Sequence, residues 1–387
     1  MFRRSLATIA LPLLLAAPAL AQNSANKDAV IKSQKESFRV ETITTGLENP
    51  WALAFLPDGR MLVTERPGRL RIVGKDGKLS DPVANVPKVA AVGQGGLLDI
   101  VLAPDFSQSH RLYFTFAEPR GANGAVNPNS TSAASARFVE DKGTAKLEDI
   151  KVIFRQEPAY GGGFHFGSRI AIARDGTLFI TTGERNLKTP SQDLMQDLGK
   201  VIHINADGTI PKDNPFIGRK DARPEIWSYG HRNIQGAAIH PVTGKLWINE
   251  HGPKGGDEIN IPLAGKNYGW PVIGFGVDYS GAVIHDSTAK PGMEQPIYHW
   301  TPSIAPSGMA FYTADAFPGW RGNLFNGALV LTHLNRLELD GEKVVKEERL
   351  LEDLKLRIRD VRQGPDGYLY LLSDAKNGKL LRLVPAK

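Results

Sequence analysis

The chain has 387 residues, no cysteine and a formal net charge of +6, with 41% hydrophobic and 23% charged residues. That composition supports a sizeable core and excludes a fibrous or wholly disordered chain. The lack of cysteine excludes a disulfide framework, a thiolate nucleophile and a zinc–cysteine site, and 40 glycines with 26 prolines favour short strands joined by many turns.

Residues 1–21, MFRRSLATIALPLLLAAPALA, read as an export signal. Arg3 and Arg4 make a basic start, an apolar stretch follows, and Ala19-Leu20-Ala21 fits a small-x-small cleavage site. The stretch is short for a spanning helix. Cleavage before Gln22 removes two arginines and no acid, so the net charge falls from +6 to +4. A nucleic-acid partner is therefore not indicated. The expectation is a periplasmic protein with no stable membrane insertion, a monomer or weak dimer. Residues 22–36 read as a polar leader, and residues 37–387 as one domain.

One strand pattern then recurs six times. It begins as PWALAFLPDGRMLVTERPGRLRIV near Trp51 and returns as LLDIVLAPDFSQSHRLYFTFAE from Leu97. Further copies start at Ser168 (SRIAIARDGTLFITTGE), Gly236 (GAAIHPVTGKLWINEHG), Ser307 and Ile358. Each holds two or three β-rich runs joined by a tight turn with Asp-Gly or Gly. Six copies in about 340 residues leave roughly 50–60 residues each, the size of a four-stranded propeller blade with its loops. The expected fold is all-β, a six-bladed β-propeller of four-stranded antiparallel blades; a pair of β-sandwiches is the alternative. Residues 117–147 are the largest polar insertion or hairpin.

In a propeller the loops between strands meet at a mouth of the central channel, where functional residues are expected. Four clusters lie in such positions. In GGGFHFGSR (residues 161–169), glycines allow close backbone approach and His165 suits proton transfer near neutral pH. In YGHRNIQG (229–236), Arg232 beside Asn233 offers a cation and an amide to carboxylate or carbonyl oxygens. In EHGPKGGDEIN (250–260), a Gly-Pro turn presents carbonyls near Asp257 and Glu258, the oxygen ligands a hard cation prefers. In RIRDV (357–361), strand alternation puts Arg357 and Arg359 on one face, where two like charges call for an anion or water. Read as residues alone, each cluster could equally be a packed turn, an internal ion pair or a solvated edge. Asn129-Ser130-Thr131 matches a glycosylation triplet. No Gly-x-Ser-x-Gly elbow, P-loop or dinucleotide fingerprint is present.

Taken together and in order, GQGGLLDI, HFGSR, GHRNIQG, EHGPKGGDEIN, NYGWP, WTPSIAPSG and RIRDVRQGPDGYLY resemble the soluble quinoprotein glucose/sorbosone dehydrogenase family, aldose sugar dehydrogenases in particular. The resemblance runs from about Thr45 to Val384 and implies a six-bladed propeller that holds pyrroloquinoline quinone with calcium (Ca2+). It implies oxidation of an aldose at C1 to the lactone, with electrons passed to an external acceptor. By resemblance His165 is the general base; in a mechanism built on it, Arg232 would stabilise the developing oxyanion. Arg232, Asn233, Arg357 and Arg359 hold the cofactor, and the carbonyls of Gly252 and Pro253 bind its calcium. Gln94, Glu184 and Trp300 then fall on the sugar side. Three departures are visible. Val330 stands where glucose enzymes carry a cofactor-contacting lysine, with His333 a candidate replacement. Phe164 stands where they carry an Asp before the base. No long insertion follows Gly183, which implies a more open mouth. The competing functions are a calcium-dependent lactonase or esterase, which would need several carboxylates or amides on one metal, and a non-enzymatic binding propeller.

Overall fold

The computed structural model describes residues 29–141 and 143–386. The expected export signal and residues 22–28 of the leader lie outside the described residues.

The recurring turn does what its sequence requires. Asp58-Gly59 and Asp175-Gly176 each place the glycine in the left-handed region, at φ +87° and +86°. The turns close with Leu56 N–H donating to the Arg60 carbonyl and Ala173 N–H to that of Thr177. Such turns join the first two strands of a blade, and the chain is nearly all β. Blade one is Pro50–Phe55, Met61–Glu65 and Arg69–Val73. Residues 79–83 follow its last strand as a ragged fourth edge, through a Val73–Leu79 bridge and the bonds of Ser80 N–H to Ile72 and Val83 N–H to Leu70. Blade two is Leu97–Leu102, Arg111–Pro119, Asn129–Asp141 and Thr144–Arg155. The polar stretch around residues 117–147 is thus a long hairpin within blade two rather than an insertion.

Blade three is Gly167–Ile172, Leu178–Thr182, Lys200–Ile204 and Ile226–Tyr229. Blade four is Ile234–Ile239, Leu246–Glu250, Asp257–Asn260 and Tyr298–Trp300, and blade five is Pro306–Phe311, Leu324–Ala328, Leu334–Asp340 and Lys343–Leu350. Blade six is Ile358–Gln363, Leu369–Ser373 and Gly378–Pro385, completed by Ser37–Leu47 from the other end of the chain. Phe38 pairs with Pro385 and Leu47 with Gly378, so one blade contains both ends and closes the ring. Ile31–Lys32, from the expected leader, adds a fifth strand to that blade.

Packing explains why the inner strands read as continuous apolar runs. Each blade is covered on both faces by its neighbours, so neither parity of side chain meets water. Six hydrophobic clusters fall one at each seam. Alternate residues of one strand serve opposite seams: Ile170 packs towards blade two and Ala171 towards blade four, while Ala52 packs towards blade two and Leu53 towards blade six. The first strand of every blade also carries a register shift near its start: Pro50/Ala52, Leu97/Ile100, Gly167/Ile170, Ile234/Gly236, Pro306/Met309 and Ile358/Asp360. A bulge re-aims the side chains beside it, here at the end of the channel where the sequence clusters lie.

Candidate active site

Two kinds of loop meet at this end of the ring. Those leading into first strands bring Gln94, His165, Arg232, Asn233 and Arg357; those leaving second strands bring Arg66, Glu184, His251, Gly252, Val330 and Asp374. A cavity of about 350 Å³ opens there, bordered by Trp51, Arg66, Gln94, Asn233, Arg357 and Arg359 among others. It adjoins a more apolar trough of about 550 Å³ bordered by Gly252, Pro253, Val277, Pro302 and Leu331. His251, Tyr279, Ala305 and Val330 border both.

His165 is 6% exposed and sits at φ +49°, a left-handed conformation that a histidine keeps only when its surroundings hold it. Its Nδ1 lies 2.5 Å from Glu184 Oε1, and its backbone N–H donates to Gln94 Oε1 at 2.8 Å. Among the described residues its Nε2 has no protein partner. Glu184 is fully buried, and its other oxygen accepts the Lys188 N–H at 2.5 Å. Burial holds the His165 imidazole below its ordinary pKa; the Glu184 bond opposes this and the Arg232 charge reinforces it. Burial alone would raise Glu184, but the His165 bond and charge, the Lys188 N–H and Arg232 bring its carboxyl below the usual range. The pair is therefore a neutral imidazole whose Nδ1–H is claimed by a carboxylate, leaving the Nε2 lone pair to accept a proton.

The next residue holds the same loop from behind. Buried Arg185 donates to the carbonyls of Phe164 (3.0 Å), Gly162 (3.0 Å) and Asn129 (3.3 Å), and to Asn129 Oδ1 at 2.7 Å. Its guanidinium also lies 4.0 Å from the centre of the Phe166 ring. Asn129 is thus a buried acceptor for Arg185, which removes the glycosylation reading of that triplet.

Across the mouth, Arg232 Nη1 donates to the carbonyls of Gly252 (2.7 Å) and His251 (3.2 Å), and its backbone N–H to Glu250 Oε2 at 2.7 Å. Asn233 Oδ1 accepts the Gly167 N–H at 3.1 Å. Asp257, a possible cation ligand by sequence, is instead buried and committed: it accepts from Gly252 N–H, Ser303 Oγ and the N–H groups of Ile304 and Ala305. It ties the Gly-Pro turn to the start of blade five. Pro253's carbonyl meets no donor among the described residues. His251 donates Nε2–H to the Pro306 carbonyl at 2.6 Å, and burial pushes its pKa down to about 3, so it is a neutral wall.

Arg357 and Arg359 do converge. Both donate to Asp374 Oδ2, at 2.8 and 3.2 Å, and Arg359 Nη1 also reaches Gln235 Oε1 at 3.0 Å. Burial pulls the Arg359 guanidinium below its ordinary pKa, against the pull of Asp374. Burial would raise Asp374, but Arg359, Arg357 and Arg66 overcome it and hold the carboxyl at about 2. Arg359 Nε is buried without a partner. Beneath them a crossed ion network joins blades one, two, three and six. Arg169 and Arg362 each meet both Asp99 and Asp360, and Asp360 also accepts the Leu53 N–H.

Three expected placements differ. Trp300 does not reach the cavity: it is 3% exposed, packs with Trp247 and Ile259, and donates Nε1–H to Glu347. Strand alternation turns it into the seam, and Thr301, the next residue, borders the trough instead. Glu184 lies behind His165 rather than beside a substrate. His333 is fully buried, donates Nδ1–H to the Leu331 carbonyl and is held neutral by burial, so it supplies no cation. Among the described residues, the most exposed aromatics near the mouth are Tyr279 (71%) and Phe164 (57%). Arg66, Arg185, Gln235, Tyr279 and Asp374 were missed from sequence. The available signal was positional, since Arg66 and Asp374 leave their second strands much as Glu184 does.

The model of the glucose/sorbosone dehydrogenase family matches residues 47–382. The aldose sugar dehydrogenase YliI of Escherichia coli K12 is 48% identical over 352 residues, covering 90% of this chain and 93% of that protein. A crystal structure of a glucose dehydrogenase is 51% identical, covers 90% of this chain and 99% of its own, and superposes with a TM-score of 0.86. The aldose sugar dehydrogenase of Streptomyces coelicolor, solved with pyrroloquinoline quinone bound, is 29% identical over 90% of this chain and 98% of its own, with a TM-score of 0.73. With the fold and the order of the clusters, these matches show that the chain belongs to the glucose/sorbosone dehydrogenase family of oxidoreductases.

Proposed function

We propose that this chain oxidises aldose sugars at C1 to lactones with pyrroloquinoline quinone and calcium, in the periplasm after removal of residues 1–21. The observation that carries this reading is the buried His165–Glu184 pair at the same mouth as an excess of guanidinium charge. The residues fit the cofactor. A polyanion suits a cavity holding Arg66, Arg357 and Arg359 against one carboxylate, with Arg359 Nε unpartnered. Pro253 offers an uncommitted carbonyl for calcium. The Gly252 carbonyl, which accepts from Arg232 Nη1, would be a second oxygen for that cation.

When bound, pyrroloquinoline quinone supplies the two-electron acceptor, activated by calcium as a Lewis acid. The protein's own part is proton management and orientation. His165 Nε2 takes the anomeric hydroxyl proton, which lets C1 lose its hydride and close to the lactone carbonyl. Glu184 keeps the Nδ1–H tautomer and stabilises the imidazolium that forms. Arg232 steadies negative charge on the sugar oxygen. Electrons leave to an external acceptor. The excess of guanidinium groups at the mouth suits an anionic cofactor better than the carboxylate or amide ligands a lactonase metal would need. No helix among the described residues is long and apolar enough to cross a membrane. The test is dye reduction by purified apoprotein with several aldoses, with and without the quinone and calcium. Activity that needs both is expected; apoprotein that neither binds the quinone nor turns over any aldose defeats the reading.

A further inference from the structure

The charges on the blade-six side of the mouth do not balance. Arg66, Arg357 and Arg359 border the cavity with one carboxylate, Asp374, which Arg357 and Arg359 share. Arg66 has no carboxylate within ion-pairing distance among the described residues. Its one side-chain hydrogen bond there is from Nη1 to the Gly93 carbonyl, so Nε and Nη2 remain uncommitted.

Its stem is nevertheless fixed. Arg66 N–H donates to the Asn49 carbonyl, and its own carbonyl accepts the Leu97 N–H. A β-carbon on Gly96, which has φ +145°, would lie 1.9 Å from the Arg66 oxygen and 2.8 Å from its Cγ. Glycine at 96 is what lets the arginine lie across this loop. From blade five the same cavity is bordered by Val330, 59% exposed and without charge. A part-buried guanidinium anchored at a cavity wall, with free donors and no carboxylate in ion-pairing contact among the described residues, is suited to an anionic ligand.

We propose that Arg66 is an anion-binding residue of the cofactor site. It receives a carboxylate of pyrroloquinoline quinone from the blade-one wall of a cavity whose blade-five wall carries the uncharged Val330. This rests on the quinoprotein reading above and adds to it a residue outside every motif that suggested that reading.

The experiment is titration of apoprotein with pyrroloquinoline quinone at fixed calcium, read by absorbance and by quenching of tryptophan fluorescence. Arg66→Ala is expected to bind about 10- to 100-fold more weakly, the range for a lost hydrogen bond to a charged group, with a shallower dependence of affinity on salt. Arg66→Gln, which removes the charge and keeps an amide donor on a shorter stem, should behave like the alanine variant, and Arg66→Lys should keep most of the affinity. Adding Val330→Lys to Arg66→Ala should restore much of what was lost. Thermal midpoints without the quinone confirm that each variant is folded. Wild-type affinity in Arg66→Ala and Arg66→Gln overturns the proposal and leaves the quinoprotein reading standing. Loss in Arg66→Ala alone, with Arg66→Gln normal, assigns Arg66 to holding the Gly93 loop and also overturns it. Wild-type protein that does not bind the quinone at all removes the underlying reading, and the Arg66 assignment falls with it.

Discussion

The two sides of the mouth are built on opposite electrostatic plans. On the blade-three side the charges are matched and buried: His165 answers Glu184, and Arg185 answers three carbonyls and an amide oxygen. On the side of blades six and one, cations outnumber the one carboxylate they face, and Arg359 Nε has no partner. A satisfied network fixes geometry, which is what a proton-transferring group needs. An unsatisfied one stores attraction for something absent, which is what a binding wall needs. On this division, damage to the first side should appear in turnover and damage to the second in cofactor affinity.

The largest effect should come from the first side. His165→Ala is expected to lower kcat by about 10²- to 10⁴-fold, the usual range for a general base, while quinone binding changes little. Stopped-flow measurement of the first reductive turnover reads this directly; an unchanged rate would remove His165 from the chemistry. Glu184→Gln should cost about 10²-fold, because an amide can donate to Nδ1 and so stabilise the wrong tautomer. It also carries a pH signature. His165 is already below its ordinary pKa, so turnover should rise with pH through a midpoint under about 6.5. Glu184 is the influence that raises that value, so its loss should move the midpoint lower still. A midpoint that moves upward contradicts the pairing.

On the second side, Arg359→Ala should weaken quinone binding by about 10²-fold and leave the pH profile of the remaining activity where it was. Equilibrium titration checks the first expectation and a kcat–pH series the second. A variant that binds normally but turns over slowly would erase the distinction between the two sides.

What could be read in advance follows the same physical divide. The six copies were legible because an apolar run, an Asp-Gly turn and another apolar run are local, and each copy starts at or within two residues of the first strand of a blade. The fourth edge of blade one was not, because GKDGKLSDPV has no apolar run and keeps only scattered bonds to its neighbour. The closure of blade six was missed for another reason: Ser37–Leu47 pairs with Gly378–Pro385, and nothing local in SFRVETITTGL names so distant a partner. In the site, His165, Arg232 and the Arg357–Arg359 pair stand in dense glycine- or charge-rich runs that are conspicuous alone. Arg66, Arg185 and Asp374 are single charges in ordinary loops and acquire meaning only when the ring brings them together.

Arg185→Lys offers a finer test of the matched side. Lysine keeps the charge but cannot reach several carbonyls in one plane. The loop carrying His165 at its positive φ should loosen, lowering kcat by about 10-fold with the quinone affinity and the pH midpoint near wild type. A parallel fall in thermal stability with unchanged kcat would make Arg185 a structural residue only.

The smallest effects concern where the sugar rests. Strand alternation is unforgiving of a one-residue shift, since it sends a side chain to the opposite face, and that separates buried Trp300 from Thr301 at the trough. Trp300→Phe should therefore leave the sugar KM unchanged and cost about 1–3 kcal/mol of stability through the lost bond to Glu347. Tyr279, exposed between the cavity and the trough, is the aromatic placed to lie against a sugar ring. Tyr279→Ala should raise KM by about 3- to 10-fold, the scale of one stacking contact, with little change in kcat. Steady-state kinetics on a monosaccharide and a disaccharide, run for both variants, decides between them. A raised KM in the Trp300 variant and none in the Tyr279 variant would put the sugar against blade four's outer strand, a place the packing of Trp300 with Trp247 and Ile259 leaves no room for.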